Sequence, residues 1–193
     1  MSTSYERDFG LREFELALLD SMYDEAPIQT EAALHALDAN RAEASAAEER
    51  RLQIAPCSVA DYTRWLGQPV SREPYSENDR GGMWTRWALS TWPYLWFEML
   101  ELPKCSLFNV WLTRRDGAPA PRLETAADLA PWSCTHKEVE LRFGPTLNVD
   151  GFHTSWLLME FSAPDSTGRT RRYEACFVWG LLQHVRERNQ QLA

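Results

Sequence analysis

The chain reads as an α+β protein: a helical N-terminal half packed on a small antiparallel sheet of three to four strands, closed by a C-terminal helix. Three observations predict it. Apolar residues recur at helical spacing through the first 66 positions, strand-like alternation strengthens beyond residue 106, and Pro, Gly, Ser and Asn concentrate between residues 67 and 82. This order of patterns divides the chain into a helical region at 1–66, a loop or linker at 67–82, and an α+β region at 83–193 that forms one cooperative domain with the first. At 193 residues the chain can bury roughly 70% of its unfolded surface, so it needs no disulfide or metal staple.

In "DFGLREFELALLDSMY", residues 8–23, Phe14, Leu18 and Met22 share one helical stripe, with Leu11 and Leu19 beside it. The alanine-rich stretch that follows has few large apolar residues. Asn40 with Glu43 three positions on forms a capping box, which predicts two helices near 30–38 and 41–54, the second largely exposed. Ser58 can accept from first-turn amides and Gly67 supplies a stop, placing a short helix at 59–66. The stretch "GQPVSREPYSENDRGG" then reads as a mobile loop, with Gly81-Gly82 as its hinge.

"WTRWALSTWPYLWFEMLEL", residues 84–102, holds four tryptophans. Pro93 fits a first helical turn, so Ser90 or Thr91 should cap a helix that runs to about Leu100 and is closed by Pro103. "LFNVWLT" at 107–113 predicts a strand, and Thr125 to Asp128 a short helical turn ended by Pro131. Lys137 to Phe143 alternates, with Val139, Leu141 and Phe143 on one face and Glu138, Glu140 and Arg142 on the other. Asp150-Gly151 supplies a hairpin turn pairing Val149 with Phe152 and Leu147 with Thr154. A bulge at Gly144 or Pro145 brings Val139, Leu141 and Phe143 opposite Phe161, Met159 and Leu157. A second hairpin through "PDSTG" leads to a strand near 169–178, with Met159 beside Tyr173 and Glu160 beside Arg172. "GLLQHVRERN" closes the chain as a helix, with Leu181, Leu182 and Val185 inward and Arg186 and Arg188 at its C-terminal dipole.

The net charge of −8 and pI near 5.1 argue against a nucleic-acid partner, because a phosphate backbone is bound by neutralising it, and favour a basic partner protein. Cysteines at 57, 105, 134 and 176 form no C-x-x-C pair, and no secretory leader opens the sequence, which predicts reduced thiols and a cytoplasmic location. No run of apolar residues is long enough to span a membrane. Arginine supplies nearly all the positive charge, with Lys104 and Lys137 the only lysines, a composition that suggests a bacterial source. Phosphate loops, nucleophile elbows and H-E-x-x-H are absent from the sequence. Cys134, His136 and His153 match no familiar zinc spacing, so no metal or cofactor is assigned.

At helical period Trp84, Trp92, Leu95, Trp96, Met99 and Leu102 fall on one arc that reads as core, leaving Trp87, Tyr94 and Phe97 beside Arg86, Glu98 and Glu101. Two functional readings follow. In the first, Trp87, Tyr94, Phe97, Arg86 and Glu98 bind a partner protein, exposed aromatics beside arginine being the composition of a binding hot spot. The competing structural explanation is that the N-terminal helices cover those rings. In the second reading, Trp84, Trp92, Trp96 and Trp156 line a pocket between helices and sheet, with Glu138, Glu140 or Glu160, which share one predicted sheet face, as acid or base. The missing catalytic signatures favour the first: a non-catalytic protein of the immunity, antitoxin, adaptor or chaperone kind.

Overall fold

Four helices precede the first strand, as the N-terminal periodicity predicts: α1 (Leu11–Met22), α2 (Pro27–Ala36), α3 (Arg41–Ile54) and α4 (Val59–Leu66). The computed structural model describes residues 9–77, 80–103, 105–150 and 155–188. It is α+β throughout, but strands make up most of the C-terminal region, and the chain divides into two compact units, Met1–Trp111 and Leu112–Ala193.

The helices start where their side chains can satisfy the free amides. At α3 the Asn40 side chain accepts from the Glu43 N–H at 3.1 Å and Glu43 accepts from the Asn40 N–H at 3.0 Å. The Ser58 hydroxyl accepts from the Asp61 N–H at 3.2 Å at the start of α4, and Gly67, with φ of 78°, ends it. α1 packs against α3. Ala44 and Ala47 are the buried residues of α3, small enough to bring its backbone close to α1, while half of the helix, including Arg41, Ala42, Glu43, Glu49 and Leu52, is exposed.

The stretch expected to be loop and helix is instead three strands, β1 (Ser71–Glu77), β2 (Arg80–Ala88) and β3 (Leu95–Leu102), which with β4 (Cys105–Arg114), where a strand was expected at 107–113, form a four-stranded antiparallel meander in that order. Residues 67–82 are therefore largely strand, not linker. Gly82 is no hinge: a Cβ there would lie 2.7 Å from the Glu101 carbonyl oxygen and 3.2 Å from the Tyr75 ring, so glycine is required for the close approach across β2. Ser90 and Thr91 cap no helix, because they form the bend between β2 and β3. Pro93 and Pro103 do mark ends, but of strands.

The second unit holds α5 (His136–Phe143) and a second antiparallel meander of β5 (Leu147–Asp150), β6 (Trp156–Pro164), β7 (Thr170–Val178) and β8 (Leu181–Glu187). The predicted strand at 137–143 is the helix α5. Val139 and Phe143 satisfy both periods; the residue that distinguishes them is Leu141, inward in a strand and 90% exposed in the structure. A capping box settles the competition, Glu138 accepting from the Thr135 N–H at 2.8 Å. The expected bulge at Gly144 or Pro145 lies instead between Asn148 and Asp150, and Leu147 pairs with Glu160. Gly151 to Thr154, and with them the predicted turn partners, lie outside the described residues.

β6 and β7 pair two residues out of the expected register: Met159 faces Ala175, Glu160 faces Glu174, and Phe161 faces Tyr173. A slip of two preserves the face of every side chain, so Leu157, Met159 and Phe161 keep the buried face expected of them, and Phe143 of α5, Phe161 and Tyr173 form a stacked run at centroid spacings of 5.7 and 5.8 Å. The closing helix is strand β8. Trp179 and Gly180 have φ of 52° and 77°, the paired positive values of a two-residue hairpin turn, which folds β8 back on β7. Tryptophan tolerates that angle because the turn is fixed from several directions. The Trp179 N–H donates to the Ser155 carbonyl at 2.5 Å, its own carbonyl accepts from the Leu112 N–H at 2.6 Å, and the Gly180 carbonyl accepts from the His136 N–H at 2.9 Å.

Candidate functional site

In the first unit the pairing register assigns side chains to faces. β2 and β3 match Arg86 with Glu98, Trp87 with Phe97 and Trp84 with Leu100. Thr85, Trp87, Leu95, Phe97 and Met99 therefore point one way, and all are buried. That face meets the helices. The Phe97 ring lies 4.8 Å from Phe14 of α1 and 5.5 Å from Tyr62 of α4, and Phe14 continues the cluster to Trp65 at 6.3 Å. Trp87 is 6.3 Å from Phe97 and its indole N–H donates to the Gly67 carbonyl at 3.0 Å. The N-terminal helices thus cover Trp87 and Phe97, and the space between helices and sheet is packed with rings.

The opposite face carries Tyr75, Trp84, Arg86, Trp96 and Glu98. Tyr75, Trp84 and Trp96 are half-buried, and the Tyr75 and Trp84 rings meet edge to face at 5.5 Å. At their centre Arg86 bridges two strands, donating to Glu98 at 2.6 Å and to Glu73 at 3.0 Å. Burial works to lower the Arg86 pKa, but the bond to Glu98 and the two nearby carboxylates outweigh it and raise it, so the guanidinium remains a fixed cation. Glu98 is buried beneath it. Tyr94 sits on the β2–β3 connection and is 57% exposed. The face is a ring of aromatic surface around an ion pair, and the Arg72–Glu101 pair at 3.2 Å belongs to the other, helix-facing side.

The other expected site residues are dispersed. Glu138 and Glu140 stand on α5, not on a sheet face with Glu160. Burial would raise the Glu138 pKa, but bonds from Arg114 at 2.9 Å and from the Thr135 amide outweigh it and lower the pKa, so this group is a fixed anion and not a poised acid. Glu140 is exposed. Glu160 pairs with Arg188, and Glu174 directly opposite it pairs with Arg186. Those two arginines offset a like-charge cross-strand pair and do not serve a helix dipole. Trp92 is buried at 7% exposure and Trp156 is half-buried.

Cys134 and His136 are both buried in the second unit, and His153 lies outside the described residues. Burial pushes the Cys134 thiol up to about 12 and, with Lys137 beside it, drives the His136 imidazole down to about 4. The imidazole is therefore neutral at pH 7. Between pH 6.5 and 4 the unfolded chain takes up a proton there that the folded chain refuses, so stability is complete above 6.5 and falls by up to about 3 kcal/mol as pH drops to 4. Chemical denaturation across that window should show the loss in the native chain and a flattened slope in His136→Gln, while carboxylate losses remain below it.

Neither the protein-family models nor the curated proteins contain a match to this chain. Among solved structures, a crystal structure from Streptococcus mutans, described provisionally as a beta-lactamase inhibitor protein, resembles it with a TM-score of 0.29 and 12% identity, over 70% of this chain and 84% of that one. No helix among the described residues is long and apolar enough to cross a membrane.

Proposed function

We propose that the chain is a non-catalytic cytoplasmic protein that binds a basic partner protein, as immunity proteins, antitoxins, adaptors and dedicated chaperones do. The partner docks on the face of the first sheet opposite the Trp87–Phe97 cluster. The observation that carries this is the grouping of half-exposed Tyr75, Trp84 and Trp96 around the Arg86–Glu98 pair. Tryptophan, tyrosine and arginine are the residues on which binding energy concentrates, and a rigid sheet presents them with little ordering cost. The chain's charge of −8, with Glu73 exposed at the edge of that face, selects for basic surface and speeds encounter with it. Tyr94 forms the rim. Trp87 and Phe97 support the face from behind, because their strands hold Trp84, Arg86, Trp96 and Glu98 in register.

The test uses the purified product of the adjacent open reading frame and measures its affinity for this chain by calorimetry. Trp84→Ala and Trp96→Ala should each weaken binding at least tenfold, equivalent to about 1.4 kcal/mol, and affinity should fall as salt rises. Exposed Ile28→Ala on α2 should leave it unchanged. Unaltered affinity in the Trp84/Trp96 double variant, with its circular dichroism preserved, would remove this face from consideration.

A further inference from the structure

The second unit contains a cleft that the protein-binding reading does not use. It lies where the β6–β7 turn meets the end of β8, has a volume of about 400 Å³, and is lined by Ser162, Arg169, Thr170, Arg171, Arg172 and Arg188, with Glu187 at one side. Four guanidinium groups in one concavity are unexpected in a chain of net charge −8. Two of them are already compensated: Arg171 contacts Asp165 at 3.3 Å and Glu187 at 3.5 Å, and Arg188 pairs with Glu160. Arg169 and Arg172 have no carboxylate partner among the described residues. Two guanidinium groups of the cleft are therefore left without a carboxylate, while the three carboxylates Asp165, Glu187 and Glu160 leave the four arginines one net positive charge.

Its wall is held in place by the turn itself. One Asp165 carboxylate oxygen accepts from the Thr167 hydroxyl at 2.6 Å, the Thr167 N–H at 2.8 Å and the Arg169 N–H at 3.0 Å. Those bonds, the Thr167 hydroxyl first, outweigh the opposing effect of burial and hold the Asp165 carboxyl down at about 2, so the anchor stays charged at any working pH. At the far side the Arg188 N–H donates to the Arg172 carbonyl at 2.9 Å, fixing β8 beside β7. Arg172 pairs across the strands with Ser162, which puts a guanidinium fork next to a neutral hydroxyl donor, and the same two residues open into a second, smaller cleft beside Leu147.

We propose that this cleft binds the phosphoryl group of a small phosphate monoester, with Arg169 and Arg172 as the charge partners and Ser162 and Thr170 as hydroxyl donors. A phosphoryl group offers oxygens to both guanidinium groups that lack a carboxylate, and those oxygens match the planar fork of arginine, which a lysine does not reproduce. The volume lies in the range that encloses a small molecule, and it is a concave site where a protein partner would want a broad flat one. Nothing in this inference depends on the aromatic face of the first unit.

The probe is inorganic phosphate, titrated into the full chain and followed by phosphorus NMR and calorimetry at low and at moderate salt. A saturable one-to-one isotherm is expected, weakened at least tenfold in Arg172→Gln and in Arg169→Gln and only partly restored by Arg172→Lys. Both positions are solvent-exposed, so circular dichroism should stay unchanged and separate lost binding from lost folding. Arg64→Gln on α4 should bind like the native chain. The proposal is overturned if phosphate fails to saturate the native protein, if Arg172→Gln binds as tightly as native, or if Arg172→Lys is fully equivalent, since the last result means diffuse charge and not a site.

Discussion

Phe97→Ala should cost about 4 kcal/mol of stability, the upper part of the range for removing a buried aromatic ring. The ring is fully buried and contacts Phe14, Tyr62 and Trp87, so truncation empties the point where α1, α4, β2 and β3 converge. Aromatic pairs contribute about 0.5–1.5 kcal/mol beyond buried area, and three of them are lost together here. Against a net stability of roughly 5–15 kcal/mol, the variant should remain folded at 25 °C but with a greatly lowered urea midpoint. Phe97→Leu, which keeps most of the volume, should lose less than about 1.5 kcal/mol. Tyr94→Ala, three residues away but more than half exposed, should change stability by no more than about 0.5 kcal/mol. A Phe97→Ala cost below that of Tyr94→Ala would contradict the packing of the helices on this sheet.

That comparison also identifies what the sequence pattern could and could not reveal. The N-terminal helices were legible because their signals are local: Asn40 with Glu43, Ser58, and Gly67 each act within one turn of the backbone they cap. The aromatic segment was not legible, because its residues are apolar on both faces of a strand. Trp84, Trp87, Leu95, Trp96, Phe97, Met99 and Leu100 leave no polar side to set the period, and Pro93 suits a helix start as well as a strand boundary. Helical period grouped Trp84 and Trp96 with the core and set Trp87 and Phe97 aside. Strand period reverses both assignments, and the residues suspected of binding moved inward while Arg86 and Glu98 stayed on the outer face. Of the three rings the sequence pattern singled out, Trp87 and Phe97 are buried and Tyr94 is exposed, so the surface proposed above keeps Tyr94, Arg86 and Glu98 and replaces the other two rings.

In the second unit the misreadings have smaller causes. Between Lys137 and Phe143 only Leu141 distinguishes helix from strand, and the overlooked signal was Thr135 with Glu138, the same capping box that was recognised at Asn40. At the C-terminus, Leu181, Leu182 and Val185 fit a helix, but a strand with a bulge opposite Cys176 and Phe177 buries the first two equally well. The turn before them was hidden because tryptophan occupies a position where asparagine or glycine is the usual marker. The arginine cleft was out of reach for another reason. Its lining comes from three strands, a turn and the residue after β8, and two of its arginines are neutralised by carboxylates whose positions only the register reveals.

Glu15→Ala should be as damaging as Phe97→Ala, at about 3–5 kcal/mol, although it removes a charged residue from a helix. Glu15 is 1% exposed on the inner side of α1. Its carboxylate accepts from the Ser90 N–H, from the Ser90 hydroxyl at 2.5 Å and from the Thr91 N–H at 3.1 Å. Among the described residues no cation pairs with it, so these three donors carry the whole compensation for its burial. The helix thereby ties down the β2–β3 bend, where the backbone would otherwise have unpaired amides against a buried carboxylate. Removing the carboxylate orphans all three donors, and an apolar replacement of similar size cannot help: Glu15→Leu should lose nearly as much as Glu15→Ala. Ser90→Ala deletes one donor and keeps the two amides, so about 1 kcal/mol is expected. In a double-mutant cycle the two changes should couple, because the Ser90 hydroxyl has no value once Glu15 is gone. If Glu15→Leu proved stabilising, the bend would be held by its own geometry, and the carboxylate would be retained for some purpose other than the fold.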